Sequence, residues 1–263
     1  MLKTRLITAF FLIPVILGSV YYGGPVFFAL VTAALLVAGY ELFEMARHAG
    51  HQPMPWLGLA LIALILLDAH TQTDFARAIL TATLVVSLTI GAVRPREGWL
   101  VGWAITVAGA LYVGWLGAYF LLVRALPNGL MWTTLALVTA WATDTGAYIV
   151  GTRFGRHRFS PVISPKKTWE GAIGGWIAAP LVLVALGWLF SLPLVHCALL
   201  GFLIGIAATF GDLAESLLKR QTGVKDSSNI VPGHGGILDR LDSLLFTAVV
   251  AYYYLVWILR VGN

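Results

Sequence analysis

Four oxygen-bearing side chains late in the chain have spacings that suit a metal site. Asp212 and Ser216 are four residues apart in GDLAESLLKR, and Asp239 and Asp242 are three apart in DRLDS. Residues three or four apart share one face of a helix, so each pair presents its oxygens together. Such oxygens are the ligands that magnesium prefers. The alternative is that these acids only form interfacial ion pairs with nearby basic residues, namely Lys219, Arg220 and Arg240.

A fifth candidate, Asp144, lies in the otherwise uncharged stretch LALVTAWATDTGAYIVG. An ionisable group deep in a membrane helix is expected to face a protein-lined aqueous cavity or to have a partner. The alternative is a neutral or hydrogen-bonded acid that only holds helices together.

Basic residues accompany the acids in the predicted loop SPKKTWEG, which runs from Ser164 to Gly171. Thr168 is expected to cap the following helix and Glu170 to complement its dipole, which leaves Lys166 and Lys167 to meet an anion. A metal with several acids and lysines is what a nucleoside triphosphate and a phosphorylated lipid would both require.

Glycines at 233, 235 and 236 surround His234. They allow positive φ or a close approach of the backbone to phosphate. His234 is a candidate proton carrier, phosphate donor or turn residue. The chain lacks the G-x-x-x-x-G-K-[ST] phosphate loop and the His-Glu-x-x-His zinc motif, so neither ATP-driven motor chemistry nor that zinc chemistry is indicated.

These residues must be positioned by membrane helices, because 59% of the 263 residues are hydrophobic and only 11% are charged. A span needs about 20 apolar residues. We therefore predict an all-α, polytopic fold in which the basic, apolar amino terminus is a retained span rather than a signal peptide. The nine predicted spans are Leu6–Tyr22, Val26–Ala46, Trp56–His70, Phe75–Val93, Trp99–Leu126, Leu130–Val150, Trp169–Phe190, Pro193–Phe210 and Leu244–Val261.

The basic residues indicate the orientation of these spans. With a cytoplasmic amino terminus, fourteen of the 17 lysines and arginines fall inside and only Arg77, Arg124 and Arg260 fall outside. The site residues would then face the cytoplasm. The net charge of +5 reflects this topology and not a nucleic-acid partner. Cys197, the only cysteine, is expected to be a buried, inert thiol.

Seven of the twelve acidic residues lie in the second half of the chain. We therefore divide it into a scaffold of residues 1–126 and a catalytic region of residues 127–263. Glu41 and Glu44 are exceptions in the first half, and we expect both to be interfacial groups that pair near Arg47.

The polar segment from Ser216 to Asp242 resembles the signature of the phosphatidate cytidylyltransferases, also called CDP-diacylglycerol synthases. The spacing agrees across all 27 positions, and Val231, where the family favours Leu, Ile or Phe, is the one departure. SPKKTWEG, the run from Asp144 to Tyr148 and the opening LKTRLITA are also similar to family segments. The matching residues of the signature are Ser216, Lys219, Arg220, Lys225, Asp226, His234, Gly235, Gly236, Asp239, Arg240 and Asp242.

The resemblance implies transfer of a cytidylyl group from CTP to phosphatidate, with pyrophosphate released. It also implies a homodimer in the cell (inner) membrane, with a cytoplasmic, magnesium-dependent active site, and leaves a second cation open. Asp212, Ser216, Asp239 and Asp242 would form the metal site, and Lys219 and Asp144 are further catalytic candidates. The candidate phosphate contacts are Lys166, Lys167, Ser216, Arg220, Lys225, His234, Gly235, Gly236 and Arg240.

Two other classes of function stay open. A secondary transporter could bind its substrate at Asp144 and the broken polar segment, although the sequence has no visible repeat. A CDP-alcohol phosphotransferase also uses aspartates and a metal, but its D-G-x-x-A-R opening is missing. A cytidylyltransferase acting on a different lipid phosphate is a third possibility.

Overall fold

The computed structural model describes residues 2–230 and 235–262, except for the side chains of residues 2–9 and 11. His234, Gly233 and Val231 lie outside the described residues. The described helices are α1 (Leu2–Tyr22), α2 (Gly24–His48), α3 (Pro55–Thr71), α4 (Ala76–Val93), α5 (Trp99–Ala110), α6 (Leu116–Ala125), α7 (Gly129–Phe154), α8 (Trp169–Leu189), α9 (Leu194–Gln221) and α10 (Leu238–Tyr253). Two π-helical segments, Leu111–Trp115 and Tyr254–Ile258, join α5 to α6 and extend α10.

All nine predicted spans fall on helical segments, and in the described residues six of those segments are long and apolar enough to cross a membrane. These six are Gly24–His48, Ala76–Val93, Trp99–Ala125, Trp169–Leu189, Leu194–Gln221 and Leu238–Ile258. Helix α3 is apolar but shorter, at 17 residues. Helix α7 has 26 residues but is more polar, since it carries Asp144 and several threonines. The protein is therefore a multi-pass membrane protein, and the count of nine spans stays a prediction.

The chain forms two compact units, each made of two stretches of sequence. The first unit comprises Met1–Leu122 and Lys219–Arg240, and the second comprises Val123–Leu218 and Leu241–Asn263. The predicted division into a scaffold (residues 1–126) and a catalytic region (residues 127–263) concerns function. The compact units do not test it, so it stays a prediction.

The core of the first unit forms where α2 packs on α3 and α5. Phe43 is fully buried, and its ring fills the space left by Gly58 of α3 and Gly109 of α5. Leu35 and Ile62 are buried in the same core. Because a side chain at either glycine would meet the Phe43 ring, α2 is held firmly against its neighbours.

Glycines also allow helices of the second unit to approach closely. A Cβ on Gly175 of α8 would lie 2.8 Å from the carbonyl oxygen of Thr143 in α7. A Cβ on Gly211 of α9 would lie 2.6 Å from the carbonyl oxygen of Asp242 in α10. Small residues are a usual means of packing membrane helices. The second of these contacts brings the turn that carries Asp212 against α10.

The described residues contain one short antiparallel hairpin, which is an exception to the all-α prediction. Strand β1 (Arg158–Ser160) pairs with β2 (Ser164–Thr168). The backbone N–H of Trp169 donates to the carbonyl of His157 at 2.9 Å, and the Phe159 ring packs edge-on against Trp169 at 4.6 Å between centroids. SPKKTWEG is therefore a strand followed by a helix start, rather than a loop alone.

Candidate active site

The hairpin ends in the predicted helix cap. Thr168 Oγ1 accepts a hydrogen bond from the Gly171 N–H at 3.1 Å, which confirms the cap at the start of α8. Glu170 lies in the first turn, where a negative charge complements the helix dipole. It also accepts hydrogen bonds from the N–H groups of Arg156 and His157 and lies 2.6 Å from His157 Nδ1. These contacts fix the hairpin to the end of α8.

Strand β2 positions Lys167 for an ion pair with Asp212. Successive residues of a strand point to opposite faces, so Lys166 is exposed whereas Lys167 is half-buried. Lys167 Nζ lies 2.8 Å from Asp212 Oδ2. Lys167 is therefore not free in this structure, because the folded hairpin brings an acid to it. Its predicted contact with an anion stays a prediction.

Asp212 and Ser216 share one face of α9, as their spacing predicts. Ser216 Oγ donates to Asp212 Oδ1 at 3.3 Å, and Ser216 is buried. Asp212 thus contacts a lysine through one oxygen and a hydroxyl through the other. This group of three polar side chains belongs to the second compact unit.

Asp239 is the centre of a second polar group, which lies in the first unit. Its side chain is only 6% exposed, and its Oδ1 lies 2.5 Å from Nζ of Lys219. Its Oδ2 accepts three hydrogen bonds, from the N–H of Ser227 at 2.9 Å, the hydroxyl of Ser227 at 2.8 Å and the N–H of Gly236 at 2.8 Å. The alternative of interfacial ion pairs is thus right that Lys219 is a partner of Asp239. It is wrong about the environment, because this carboxylate is buried and surrounded by hydrogen-bond donors.

Two glycines shape the backbone beside Asp239. Gly235 has φ of +80°, a conformation that other residues rarely adopt. Gly236 is buried, and a Cβ there would collide with Ser227 Oγ and with the carboxylate of Glu41. The prediction of positive φ is thus confirmed at Gly235. Contact of either glycine with a phosphate stays a prediction.

Glu41 was assigned the wrong environment from sequence. Glu44 does pair with Arg47, at 2.7 Å and in an exposed position. Glu41, by contrast, is 2% exposed and accepts hydrogen bonds from residues near Asp239. A signal was present in the sequence, because Glu41 is three residues after Ala38 and four before Met45, which lie on the buried face of α2. The serines at 227 and 228, also missed, carry no comparable signal.

The remaining candidates are more peripheral in the described structure. Asp242 is half-buried, and its Oδ1 accepts from the N–H of Ser243 at 2.6 Å. Arg220 is exposed and donates to the carbonyl of Val224 at 3.3 Å. Exposed positions are also occupied by Asp144, Lys166, Lys225 and Arg240. Their predicted roles are not decided by these positions.

The fold and these polar groups define a multi-pass helical membrane protein in which two carboxylates are each paired with a lysine. The model of the cytidylyltransferase family matches residues 3–258, and the chain belongs to this family. Curated relatives named phosphatidate cytidylyltransferase include those of Synechocystis (34% identical, covering 98% of both chains) and Pseudomonas aeruginosa (36% identical, covering 98% of this chain and 97% of the relative). The Bacillus subtilis protein of that name is 36% identical over 97% of each chain.

Proposed function

We propose that this protein transfers the cytidylyl group of CTP to phosphatidate, giving CDP-diacylglycerol and pyrophosphate. The observation that carries the proposal is the family match over nearly the whole chain, together with relatives of that name at 34–36% identity. The lysine-paired carboxylates at Asp212 and Asp239 are consistent with a reaction between two anionic substrates.

The reaction needs little help with deprotonation. A phosphate oxygen of phosphatidate is already ionised near neutral pH, so it can attack the α-phosphorus of CTP directly. A bond forms between that oxygen and the α-phosphorus, and the bond from the α-phosphorus to the oxygen that bridges to the β-phosphate breaks as pyrophosphate leaves. The main obstacle is repulsion between the two anions, so positioning and positive charge provide most of the catalysis.

Lysine and arginine side chains would supply part of that charge. We assign Lys167, Lys219, Arg220 and Lys225 to the phosphates, with Lys166 and Arg240 as further contacts. Lys167 and Lys219 each neutralise a carboxylate in this structure. Each could exchange that carboxylate for a substrate phosphate once the carboxylate is satisfied by another cation.

The chemistry of the acids suits magnesium. The described residues contain no group of three or more His, Cys, Asp or Glu side chains that could hold a metal ion. Magnesium does not require one, because it usually binds one or two carboxylates and completes its shell with water and substrate phosphates. Asp212, Ser216 and Asp242 of the second unit are the proposed ligands, as is Asp239 of the first, and bound Mg²⁺ would stabilise negative charge on the phosphates. Chelation by EDTA should abolish turnover and added Mg²⁺ should restore it.

We also propose that the protein is a homodimer with nine spans, a cytoplasmic amino terminus and a cytoplasmic active site in the inner membrane. The excess of basic residues in the predicted inside segments supports this orientation. Cross-linking in native membranes, followed by mass determination in detergent, tests the dimer.

Detergent-purified protein supplied with CTP, phosphatidate and Mg²⁺ should form a CDP-lipid and pyrophosphate in equal amounts. Omitting phosphatidate should stop both. A protein that consumes no CTP but drives proton-coupled uptake into liposomes would instead be a transporter. A product formed with another lipid phosphate and not with phosphatidate would confirm the chemistry but change the substrate.

A further inference from the structure

Glu41 lies on α2, in the first third of the chain, yet it binds residues near the start of α10. Its carboxylate accepts hydrogen bonds from two hydroxyls, of Ser227 at 3.0 Å and of Ser228 at 2.5 Å. It also accepts from two backbone N–H groups, of Ile237 at 3.0 Å and of Leu238 at 2.8 Å. Each carboxylate oxygen therefore faces one hydroxyl and one backbone N–H, and the single hydrogen of the Ser227 hydroxyl is shared with Asp239 Oδ2.

The helix that carries Glu41 is firmly held. The two residues that follow it, Leu42 and Phe43, are buried, and both lie in the space left by Gly109 of α5. Glu41 itself is 2% exposed. The carboxylate is thus presented from a packed helix, so its position determines where its partners can lie.

A buried carboxylate is stable only if polar groups replace the water that it lost. The four donors to Glu41 are uncharged, and two of them are N–H groups at the start of α10, where the helix dipole favours a negative charge. Displacement of residues 227–228 or 237–238 would leave both the carboxylate and the backbone donors unsatisfied. Glu41 therefore strongly favours one arrangement of these residues.

That arrangement also determines where Asp239 lies. The Ser227 hydroxyl is 3.0 Å from Glu41 Oε2 and 2.8 Å from Asp239 Oδ2, so it lies between the two carboxylates. Gly236, whose N–H donates to Asp239, has no room for a side chain because Ser227 and Glu41 occupy that space. Asp239 directly follows Leu238, whose N–H is bound by Glu41.

We propose that Glu41 is a positioning residue for cytidylyl transfer, which holds residues 227–228 and 236–239 in the arrangement that makes Asp239 competent. The proposal rests on the proposed function through the role of Asp239. Glu41 contacts no reacting atom in this account and acts only through the backbone and the serines.

Glu41→Gln is the sharpest test. Rotating the new amide cannot satisfy all four donors, because one oxygen becomes an NH₂ group, and either Ile237 or Leu238 then directs its N–H at another donor. The serine hydroxyls can turn to accept, whereas a backbone N–H cannot. Glu44→Gln is the matched control, since it makes the same change one helical turn later on the exposed, Arg47-paired side chain.

Two readouts are needed, hydrogen exchange by mass spectrometry and steady-state kinetics. In Glu41→Gln, peptides covering residues 236–240 should exchange about tenfold faster or more, while α8 peptides stay as in the wild type. The value of kcat should fall about 10- to 100-fold, because small misplacements of a reacting group have effects of that size. Glu44→Gln should match the wild type in both.

Unchanged exchange at 236–240 in Glu41→Gln would overturn the proposal, and so would wild-type kcat in a protein whose exchange there had risen. If exchange also rises in α8, Glu41→Gln is globally unfolded, and the proposal is then tested with Ser228→Ala. It removes one donor to Glu41 and should lower kcat about threefold or more, whereas wild-type kcat would overturn the proposal. If neither the wild type nor Glu44→Gln forms CDP-lipid, the proposed function is contradicted. The hydrogen-exchange result does not depend on that function, so the two failures can be told apart.

Discussion

Replacing Lys219 by methionine should destabilise the protein by about 3 kcal/mol, because it leaves the Asp239 carboxylate buried without its cation. Removing one partner of a buried ion pair costs roughly 3–5 kcal/mol. We expect the lower end of that range, since Asp239 Oδ2 keeps its hydrogen bonds from Ser227 and Gly236. The side chains of Lys219 and Asp239 are only 12% and 6% exposed, so solvent cannot replace the lost partner.

A double-mutant cycle separates the ion pair from other effects of each change. Asp239→Asn should also be destabilising, because it removes the charge with which the Lys219 ammonium group pairs. The double variant should recover about 2 kcal/mol of the summed losses, since both single variants lose the same interaction. The free energy of unfolding is measured in mixed detergent and dodecyl sulfate micelles, with helix content followed by circular dichroism.

Lys225→Met is the matched control, because it removes the same charge from an exposed position a few residues away. It should change the unfolding free energy by less than about 0.5 kcal/mol. A cost below about 1 kcal/mol for Lys219→Met, with strict additivity in the double variant, would refute the buried pair. The geometry given above for Asp239 would then be wrong.

The helix packing, the hairpin lysines and the orientation each give a further prediction. Gly211→Ala should lower the free energy of unfolding by about 1–3 kcal/mol, because its Cβ would lie 2.6 Å from the Asp242 carbonyl oxygen. Gly18→Ala should not show this overpacking cost, because a Cβ there has nothing within 4 Å. Equal stability of the two variants would contradict the close α9–α10 contact. Lys167→Met should lower kcat/KM for CTP about tenfold or more, equivalent to about 1.4 kcal/mol, and Lys166→Met should lower it less. A larger effect at the exposed Lys166 would make Lys166, and not Lys167, the main phosphate contact. Cys197 is buried, so a cysteine introduced as Lys225→Cys should be the thiol that a membrane-impermeant reagent labels. Labelling should occur in inverted vesicles and not in intact cells, and the opposite pattern would refute the cytoplasmic orientation.

Local features of this chain could be predicted from its sequence. The Thr168 cap, the Ser216–Asp212 contact and the Glu44–Arg47 pair each join residues within four positions on one helix or helix end. Their geometry follows from the helix repeat alone. The helical segments themselves could be predicted because runs of apolar residues of membrane length leave few other structures possible.

Contacts between distant parts of the chain could not be predicted in this way. The pairing of Lys167 with Asp212 depends on a hairpin that no periodicity in SPKKTWEG indicates. The contacts of Glu41 join α2 to residues close to 200 positions later. Glu41 and Glu44 are near neighbours on one helix, and only the packing of α2 makes one of them buried and the other exposed.

The fate of labelled CTP tests the central claim most directly. With phosphatidate and Mg²⁺ present, label in the α-phosphate should appear in the lipid product, and label in the γ-phosphate should appear only in pyrophosphate. Asp239→Asn, inserted normally in the membrane, should produce neither. Transfer of the γ-label to lipid would identify a kinase, and normal activity of Asp239→Asn would remove Asp239 from the proposed metal site.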